Sequence, residues 1–264
     1  SEVCVLESPI RRGFDLERAA SAIEEFIASK VRSAGASGVV LGVSGGVDSA
    51  LVLALSVRAL GSGGVLALIM PDSRLTPPED VSDSRSLCEL FGVRRVEIDI
   101  APIHRAYLER LPASQLAEGN LRARIRMSLL YYYANLENRL VAGTGDRSEY
   151  LLGYFTKYGD GGVDIAPILG LYKTEVRALA AHLGVPERVA RKPSSPRLWP
   201  GQTAEGELGF SYEEADAVLH RIFDLGEPVE KVRESNPRLV DAVMEWHRRT
   251  EHKRAPVESP ALPL

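Results

Sequence analysis

The chain has 264 residues, of which 45% are hydrophobic and 26% are charged, and this excludes a fibrous, collagen-like or strongly disordered protein. The formal net charge of −4 argues against a surface built to bind nucleic acid. No apolar run approaches the roughly 18 residues of a membrane span, and the N-terminal stretch lacks a signal-peptide pattern. We therefore expect a cytoplasmic protein that binds neither membranes nor nucleic acid.

Two residue types are rare enough to follow individually. The cysteines, Cys4 and Cys88, have no metal-site spacing, so we expect two unpaired thiols. A chain that prefers arginine can keep a lysine where a compact charge is needed. The lysines are Lys30, Lys157, Lys173, Lys192, Lys231 and Lys253.

The first half of the chain alternates predicted helices and strands. Helical spacing after a capping Asp15 covers residues 15–34, and later helices cover 49–60 and 117–138. Thr76-Pro77-Pro78-Glu79 predicts another helix, with Thr76 as cap, Pro77 first and Glu79 closing a capping box, running to about Phe91. Buried strands are predicted at residues 39–43 and 65–70, and two further strands at 93–100 and 140–143.

This alternation predicts an α/β fold, a Rossmann-like parallel sheet with helices on both faces. The last third differs, because short helices at 171–183, 212–225 and 237–249 are joined by loops rich in glycine, proline and serine. We expect one domain over residues 1–254. The final segment, 255–264, is predicted to be a disordered tail.

The stretch GVSGGVDS, residues 42–49, lies between the first predicted strand and the next helix. Backbone N–H groups and the helix dipole favour an anion there, and glycines allow close approach. The loop is neither a Walker A motif nor a GxGxxG motif. An acid beside phosphates is explained if Asp48 holds Mg²⁺, so the loop is predicted to bind magnesium pyrophosphate.

The SGGVDS stretch resembles the motif of the PP-loop, or N-type, ATP pyrophosphatases, which cut ATP between its α and β phosphates. Four further stretches (119–135, 143–180, 201–216 and 250–254) resemble the ammonia-dependent NAD synthetases. The resemblance implies the adenine nucleotide alpha hydrolase-like form of the predicted fold. It also implies a ligase that amidates deamido-NAD with ammonia, consuming ATP and releasing AMP and pyrophosphate.

The resemblance also implies the site residues, and Asp48 and Glu149 are expected to hold Mg²⁺. The ATP-binding residues are expected to be Gly42, Val43, Ser44, Gly45, Gly46, Val47, Asp48, Ser49, Thr144, Lys173 and Ser195. Those for deamido-NAD are expected to be Arg124, Lys157, Asp164, His252 and Lys253. Asp48 and Lys173 are assigned to catalysis, and Asp160 is our hypothesis for the group that binds ammonium or takes its proton.

Three residues depart from the family pattern. Pro196 and Arg197 stand where alanine and aspartate are usual, and Ala204 stands where an aspartate is usual. Two alternatives stay open, namely another PP-loop amidating or tRNA-modifying enzyme and a nucleotide sensor without turnover. Cysteine usage and charge disfavour the tRNA-modifying enzyme. We expect free ammonia as the donor, unless a separate glutaminase subunit docks. The family resemblance also implies a homodimer.

Overall fold

The computed structural model describes residues 10–11 and 13–263 and contains a four-stranded parallel sheet with the order β3-β2-β1-β4. The strands are β1 (Gly38–Gly42), β2 (Val65–Ile69), β3 (Arg94–Glu97) and β4 (Arg139–Val141). A parallel bridge between Ala142 and Ile165 extends the β4 edge. The chain reverses its direction of growth between β1 and β4, which is the switch point where sheets of this class bind ligands.

Twelve α-helices occur in the described residues. They are α1 (Leu16–Ala34), α2 (Val47–Leu60), α3 (Pro78–Leu90), α4 (Ala101–Leu108), α5 (Gln115–Glu137), α6 (Arg147–Leu152), α7 (Lys173–His182), α8 (Glu187–Ala190), α9 (Ala204–Leu208), α10 (Tyr212–Leu219), α11 (Val229–Arg233) and α12 (Pro237–Arg249). A π-helical turn, His220–Asp224, continues α10, and short 3-10 turns occupy Ser62–Gly64 and Glu251–Lys253. None of these helices is long and apolar enough to cross a membrane.

Both faces of the sheet are covered, as the sequence predicted. Val39 and Leu41 of β1 pack in a cluster that includes residues of α1, α2 and α7. Val40, which points the other way, packs in a second cluster with residues of α5. Successive strand residues face opposite sides, so a continuous apolar run is what a doubly covered strand requires. A third cluster joins α6, α9, α10 and α12 beside the sheet.

The predicted start of α3 is wrong. The helix begins at Pro78, with Pro77 in the N-cap position and no side-chain cap. A residue that precedes proline is held in an extended conformation, and Pro77 has ψ 136°, so it cannot be the first helical residue. Thr76 instead accepts a hydrogen bond at Oγ1 from the Asp72 backbone at 2.9 Å and closes a turn.

Other element boundaries moved by a few residues. The third strand is shorter than predicted and ends at Glu97. Asp99 then accepts the backbone N–H groups of Ser73 and Ala101, where the unpredicted helix α4 begins. Helix α2 begins at Val47 and not at residue 49, which places Asp48 in its first turn. Cys88 is a buried free thiol, and Cys4 lies outside the described residues. Residues 255–263 are exposed and form no helix or strand.

Candidate active site

The loop after β1 is braced by its own serines. Ser49 Oγ accepts the backbone N–H of Ser44 at 3.1 Å, and Ser44 Oγ accepts that of Gly46 at 3.3 Å. The first turn of α2 follows directly, and the N–H groups of a first helical turn have no partner within the helix. The loop therefore offers free donors and the positive end of a helix dipole at the carboxyl edge of the sheet.

Gly45 holds the loop in a conformation that a larger residue would strain. Its φ is +83°, and an added Cβ would lie 2.6 Å from the backbone oxygen of Asp80. Lys192 donates from Nζ to the Gly45 oxygen at 2.9 Å, to Asp83 at 2.6 Å and to Asp80 at 3.2 Å. Lys192 therefore holds this carbonyl on the α3 side of the loop, at a point where Lys192 and Asp80 also line the cavity described below. We call Lys192, Asp80 and Asp83 the loop clamp.

A second cluster lies at the ends of β1 and β4, and its centre is Lys173. The Lys173 ammonium is fully buried and forms ion pairs with Asp48, with Asp146 at 2.9 Å and with Glu149 at 3.1 Å. It also lies 5.1 Å from the centre of the Tyr212 ring. A cation at the start of α7 opposes the helix dipole, so these carboxylates supply the compensating charge. We call Asp48, Asp146, Glu149 and Lys173 the carboxylate cluster.

A capping box positions two of these carboxylates. Asp146 is the N-cap of α6, and one of its oxygens accepts the Glu149 backbone N–H at 2.8 Å. Glu149 Oε2 in turn accepts the Asp146 N–H at 3.2 Å. Each carboxylate therefore uses one oxygen to cap the helix and turns the other toward Lys173.

Burial and mutual repulsion disturb the ionisation of the cluster. Burial raises the pKa of Asp146 to about 7, helped by the charge of Asp48 and opposed by Lys173. Burial, with the charge of Asp146, also raises the pKa of Glu149 to about 7. Burial alone would lower the pKa of Lys173, but the three carboxylates raise it well above its ordinary value. The cluster thus carries more acid groups than its one cation can neutralise.

The carboxylate cluster is suited to a divalent cation. One oxygen each from Asp48, Asp146 and Glu149 lie within 4.8 Å of one another. Asp48 Oδ1 is buried and has no hydrogen-bond partner among the described residues. Carboxylate oxygens are the ligands that Mg²⁺ prefers. Asp48 and Glu149 were expected as ligands from the sequence, and the structure adds Asp146, whose position in the same GTGDRSE loop was the only local signal for it.

A cavity of about 750 Å³ opens over the phosphate loop. It brings together most of the predicted ATP residues with Asp160 and Lys253. The predicted residues that line it are Gly42, Val43, Ser44, Gly46, Val47, Asp48, Ser49, Thr144, Glu149, Asp160, Ser195 and Lys253. Gly45 faces the loop clamp, and the buried Lys173 amine lies behind Asp48 and Glu149.

Some predicted ligands of the cavity already have partners. Ser195 donates from Oγ to the backbone oxygen of Gln202 at 2.5 Å. Lys253 donates to the backbone oxygens of Gly153 at 2.8 Å and Phe155 at 2.6 Å. Asp160 accepts the Thr156 N–H at 2.7 Å and faces the open space of the cavity. These contacts fix the side chains in place, and their roles toward substrates stay predictions.

The remaining predicted dinucleotide ligands lie outside the cavity lining. Arg124 is exposed and donates to the Lys157 backbone oxygen at 3.1 Å, and Lys157 Nζ lies 3.4 Å from His252 Nδ1. Asp164 accepts from the Tyr131 hydroxyl at 3.1 Å and from the Val141 N–H at 2.8 Å. Arg124, Lys157 and His252 thus meet in one exposed patch, while Asp164 braces β4.

The comparisons with known proteins agree with one another. Residues 19–257 match the family model described as NAD synthase. An NH3-dependent NAD(+) synthetase of Hyperthermus butylicus is 56% identical, with 94% of this chain and 92% of the relative covered. A solved NH3-dependent NAD synthetase from Campylobacter jejuni has a TM-score of 0.82 and 34% identity, and the alignment covers 94% of this chain and all of the other.

A further structural relative carries a different substrate in its name. It is an NMN synthetase from Francisella tularensis, with a TM-score of 0.84 and 33% identity, and the alignment covers 94% of this chain and all of that one. The fold and the general arrangement are therefore common to chains described by a dinucleotide product and by a mononucleotide product.

Proposed function

Because this chain belongs to the NAD synthase family, we propose that it catalyses the ATP-dependent amidation of deamido-NAD by ammonia, giving NAD, AMP and pyrophosphate. The single observation that carries the chemistry is the placement of the carboxylate cluster beside the phosphate loop, at the switch point of the sheet. A ligase that separates pyrophosphate from ATP needs both features at one place.

The reaction requires activation, because a carboxylate does not exchange an oxygen for ammonia directly. A carboxylate oxygen of the pyridine ring bonds to the α-phosphorus of ATP, and the bond from that phosphorus to pyrophosphate breaks. Ammonia then bonds to the acyl carbon, the bond to AMP breaks, and one proton leaves the nitrogen. No covalent intermediate with the protein is needed, so positioning and electrostatics carry the catalysis.

The residues take separate tasks in this proposal. Ser44, Gly46 and Ser49 hold the pyrophosphate part of ATP, and the first turn of α2 adds its N–H donors. Asp48 and Glu149, joined by Asp146, would hold Mg²⁺, which neutralises phosphate charge. Lys173 holds the three carboxylates together from behind and offsets part of their charge. Thr144 and Ser195 complete the proposed ATP contacts.

The proposed dinucleotide site reaches from the cavity to the exposed patch, through Lys253 to Lys157, His252, Arg124 and Asp164.

A homodimer is part of this proposal, because α5 leaves Tyr132 and Leu136 about two-thirds exposed, at 66% and 64%. The other residues of that apolar run, such as Leu129 and Tyr131, pack against the sheet. Sedimentation of the wild type and a Tyr132→Glu, Leu136→Glu variant tests the dimer, because a monomeric wild type contradicts it.

The function is tested by mixing the purified chain with ATP, MgCl2, ammonium chloride and deamido-NAD. We expect NAD, AMP and pyrophosphate in equal amounts. A parallel reaction with nicotinate mononucleotide addresses the alternative that the Francisella tularensis relative suggests. A higher kcat/KM for the mononucleotide would replace the proposed substrate, and pyrophosphate release without amide in either reaction would overturn ammonia as the donor.

The role of Asp160 is tested separately. Asp160 lines the cavity, and one of its carboxyl oxygens accepts the Thr156 N–H. If it binds ammonium or accepts its proton, Asp160→Asn raises the KM for ammonium while the KM for ATP stays the same. Full activity of Asp160→Asn at limiting ammonium would remove this assignment.

A further inference from the structure

Arg197 lies in the segment 193–202, which covers the phosphate loop. Its backbone N–H donates to Ser195 Oγ at 3.1 Å, and its φ of +50° is uncommon for a residue with a side chain. The guanidinium lines the cavity and donates from Nε to Asp80 Oδ2 at 3.0 Å. Arg197 stands where the family resemblance led us to expect an aspartate, so the position carries a cation in place of an acid.

The contacts of Asp80 place this guanidinium next to the phosphate loop. Asp80 is almost fully buried, and its other oxygen accepts from Lys192 Nζ at 3.2 Å. The same ammonium donates to the Gly45 oxygen at 2.9 Å. A single carboxylate and a single ammonium therefore separate the Arg197 side chain from the backbone that is proposed to bind the phosphates.

Arg197 has donors left over. A guanidinium carries five N–H donors, and only Nε of Arg197 donates to the part of the chain that the structure describes. Its side chain is 34% exposed, and it lines the cavity. Three cations, Lys192, Arg188 and Arg197, share the two carboxylates Asp80 and Asp83, which leaves one formal positive charge beside the phosphate loop.

We propose that Arg197 is a further ATP-binding residue, whose terminal nitrogens hold the pyrophosphate part of the nucleotide. Planar guanidinium groups bind phosphate oxygens with two parallel hydrogen bonds. Arg197 keeps Asp80 neutralised through Nε while its outer edge meets the phosphates. The inference rests on the proposed function, because it takes ATP as the molecule that fills this side of the cavity.

The test is equilibrium binding of ATP, inorganic pyrophosphate and AMP, each with MgCl2 and without deamido-NAD, so that no turnover occurs. In Arg197→Gln we expect the Kd of ATP and of pyrophosphate to rise about tenfold, which corresponds to about 1.4 kcal/mol. The Kd of AMP stays unchanged, because AMP lacks the phosphates concerned. Arg197→Lys recovers part of the loss, and Arg197→Asp weakens pyrophosphate further.

Arg188→Gln is the matched control. Arg188 pairs with Asp83, the other carboxylate of the loop clamp, but it is more exposed and does not line the cavity. Equal weakening in Arg188→Gln and Arg197→Gln would assign the effect to the clamp and overturn the proposal. Unchanged pyrophosphate binding in Arg197→Gln, or an equal loss of AMP binding, would overturn it as well. Thermal unfolding of each variant verifies that it is folded.

This readout is independent of catalysis. A chain that binds pyrophosphate through Arg197 but makes no amide would overturn the proposed reaction and leave the role of Arg197 standing. If the wild type makes NAD, and Arg197→Gln binds pyrophosphate as tightly as the wild type does, the proposed reaction would stand and the role of Arg197 would be overturned.

Discussion

The carboxylate cluster lies on one side of the phosphate loop, and the loop clamp with its two arginine partners, Arg188 and Arg197, lies on the other. The two regions have opposite charge balances. The cluster gathers three carboxylates around Lys173, whereas three cations surround Asp80 and Asp83 of the clamp. An excess of carboxylates stabilises a divalent cation, and an excess of cations stabilises phosphate. The phosphate loop therefore lies between one region suited to a metal and one suited to an anion.

The largest expected effect is from Lys173→Met, which removes the only cation of the carboxylate cluster. We expect the rate of NAD formation to fall by about 10²–10³-fold, the size seen when one preorganised electrostatic group is lost. Removing one partner of a buried ion pair also costs about 3–5 kcal/mol, so chemical unfolding at pH 8 will register a large loss.

The effect of added MgCl2 on stability tests the same cluster without any assay of activity. In Lys173→Met the carboxylates have no competing ammonium, so Mg²⁺ raises the unfolding midpoint more than it does in the wild type. An equal shift in both proteins would contradict the assignment of this cluster to the metal.

A smaller effect is expected from Lys192→Met in the loop clamp. Asp80 and Asp83 keep Arg197 and Arg188 as partners, so we expect a loss of about 1–3 kcal/mol in the free energy of unfolding. The KM for ATP rises because the Gly45 carbonyl is released, while the MgCl2 response stays as in the wild type. If Lys192→Met lost as much stability as Lys173→Met, the two regions would not differ in the way described.

Gly45→Ala tests the backbone between the two regions. The positive φ and the close Asp80 oxygen predict a loss of about 1–3 kcal/mol on chemical unfolding. Gly46→Ala is the control, because Gly46 has an ordinary φ of −90° and its nearest neighbour to an added Cβ is the Ser44 side chain at 3.5 Å. Equal losses in the two variants would contradict the role given to Gly45.

The last effect depends on pH and concerns Asp216, which supports the carboxylate cluster from behind. It accepts from Ser148 Oγ at 2.5 Å and from the Thr174 N–H at 3.1 Å, and burial raises its pKa to about 7. The folded chain then binds this proton more tightly than the unfolded chain, whose carboxyl has a pKa near the ordinary value. Between these two values, stability falls as pH rises, by up to about 1.4 kcal/mol per pH unit.

Chemical unfolding of the wild type and Asp216→Asn at pH 5, 6, 7 and 8 measures this contribution. The stability of the wild type relative to Asp216→Asn should be greatest at pH 5 and should decline toward pH 8. A difference that stays constant, or that grows with pH, would contradict the raised pKa.

The sequence predicted those parts of the molecule that depend on local patterns. The apolar runs at residues 39–43 and 65–70 predicted the two central strands, and the loop GVSGGVDS predicted the phosphate site next to Asp48. Boundaries failed where two local rules competed, as at Pro77, where the proline that follows keeps the backbone extended. The parallel sheet and its covered faces are confirmed, whereas the single domain over residues 1–254 stays a prediction.

The missed site residues depend on distant contacts. Lys192 meets Gly45, Asp80 and Asp83 across more than 100 positions of sequence, so no local spacing reveals the loop clamp. Asp146 looks like an ordinary helix cap, and only the fold brings Lys173 to its second oxygen. Arg197 stands out in the sequence only as a departure from the family pattern. Its contact with Asp80, which only the fold reveals, places the guanidinium beside the phosphate loop.

The most direct measurement is the exchange of labelled pyrophosphate into ATP without ammonium, with and without deamido-NAD. We expect exchange that requires deamido-NAD, that is lost in Lys173→Met, and that needs a higher pyrophosphate concentration in Arg197→Gln. NAD formation by a chain that shows no such exchange would contradict an adenylated intermediate formed between the carboxylate cluster and the loop clamp.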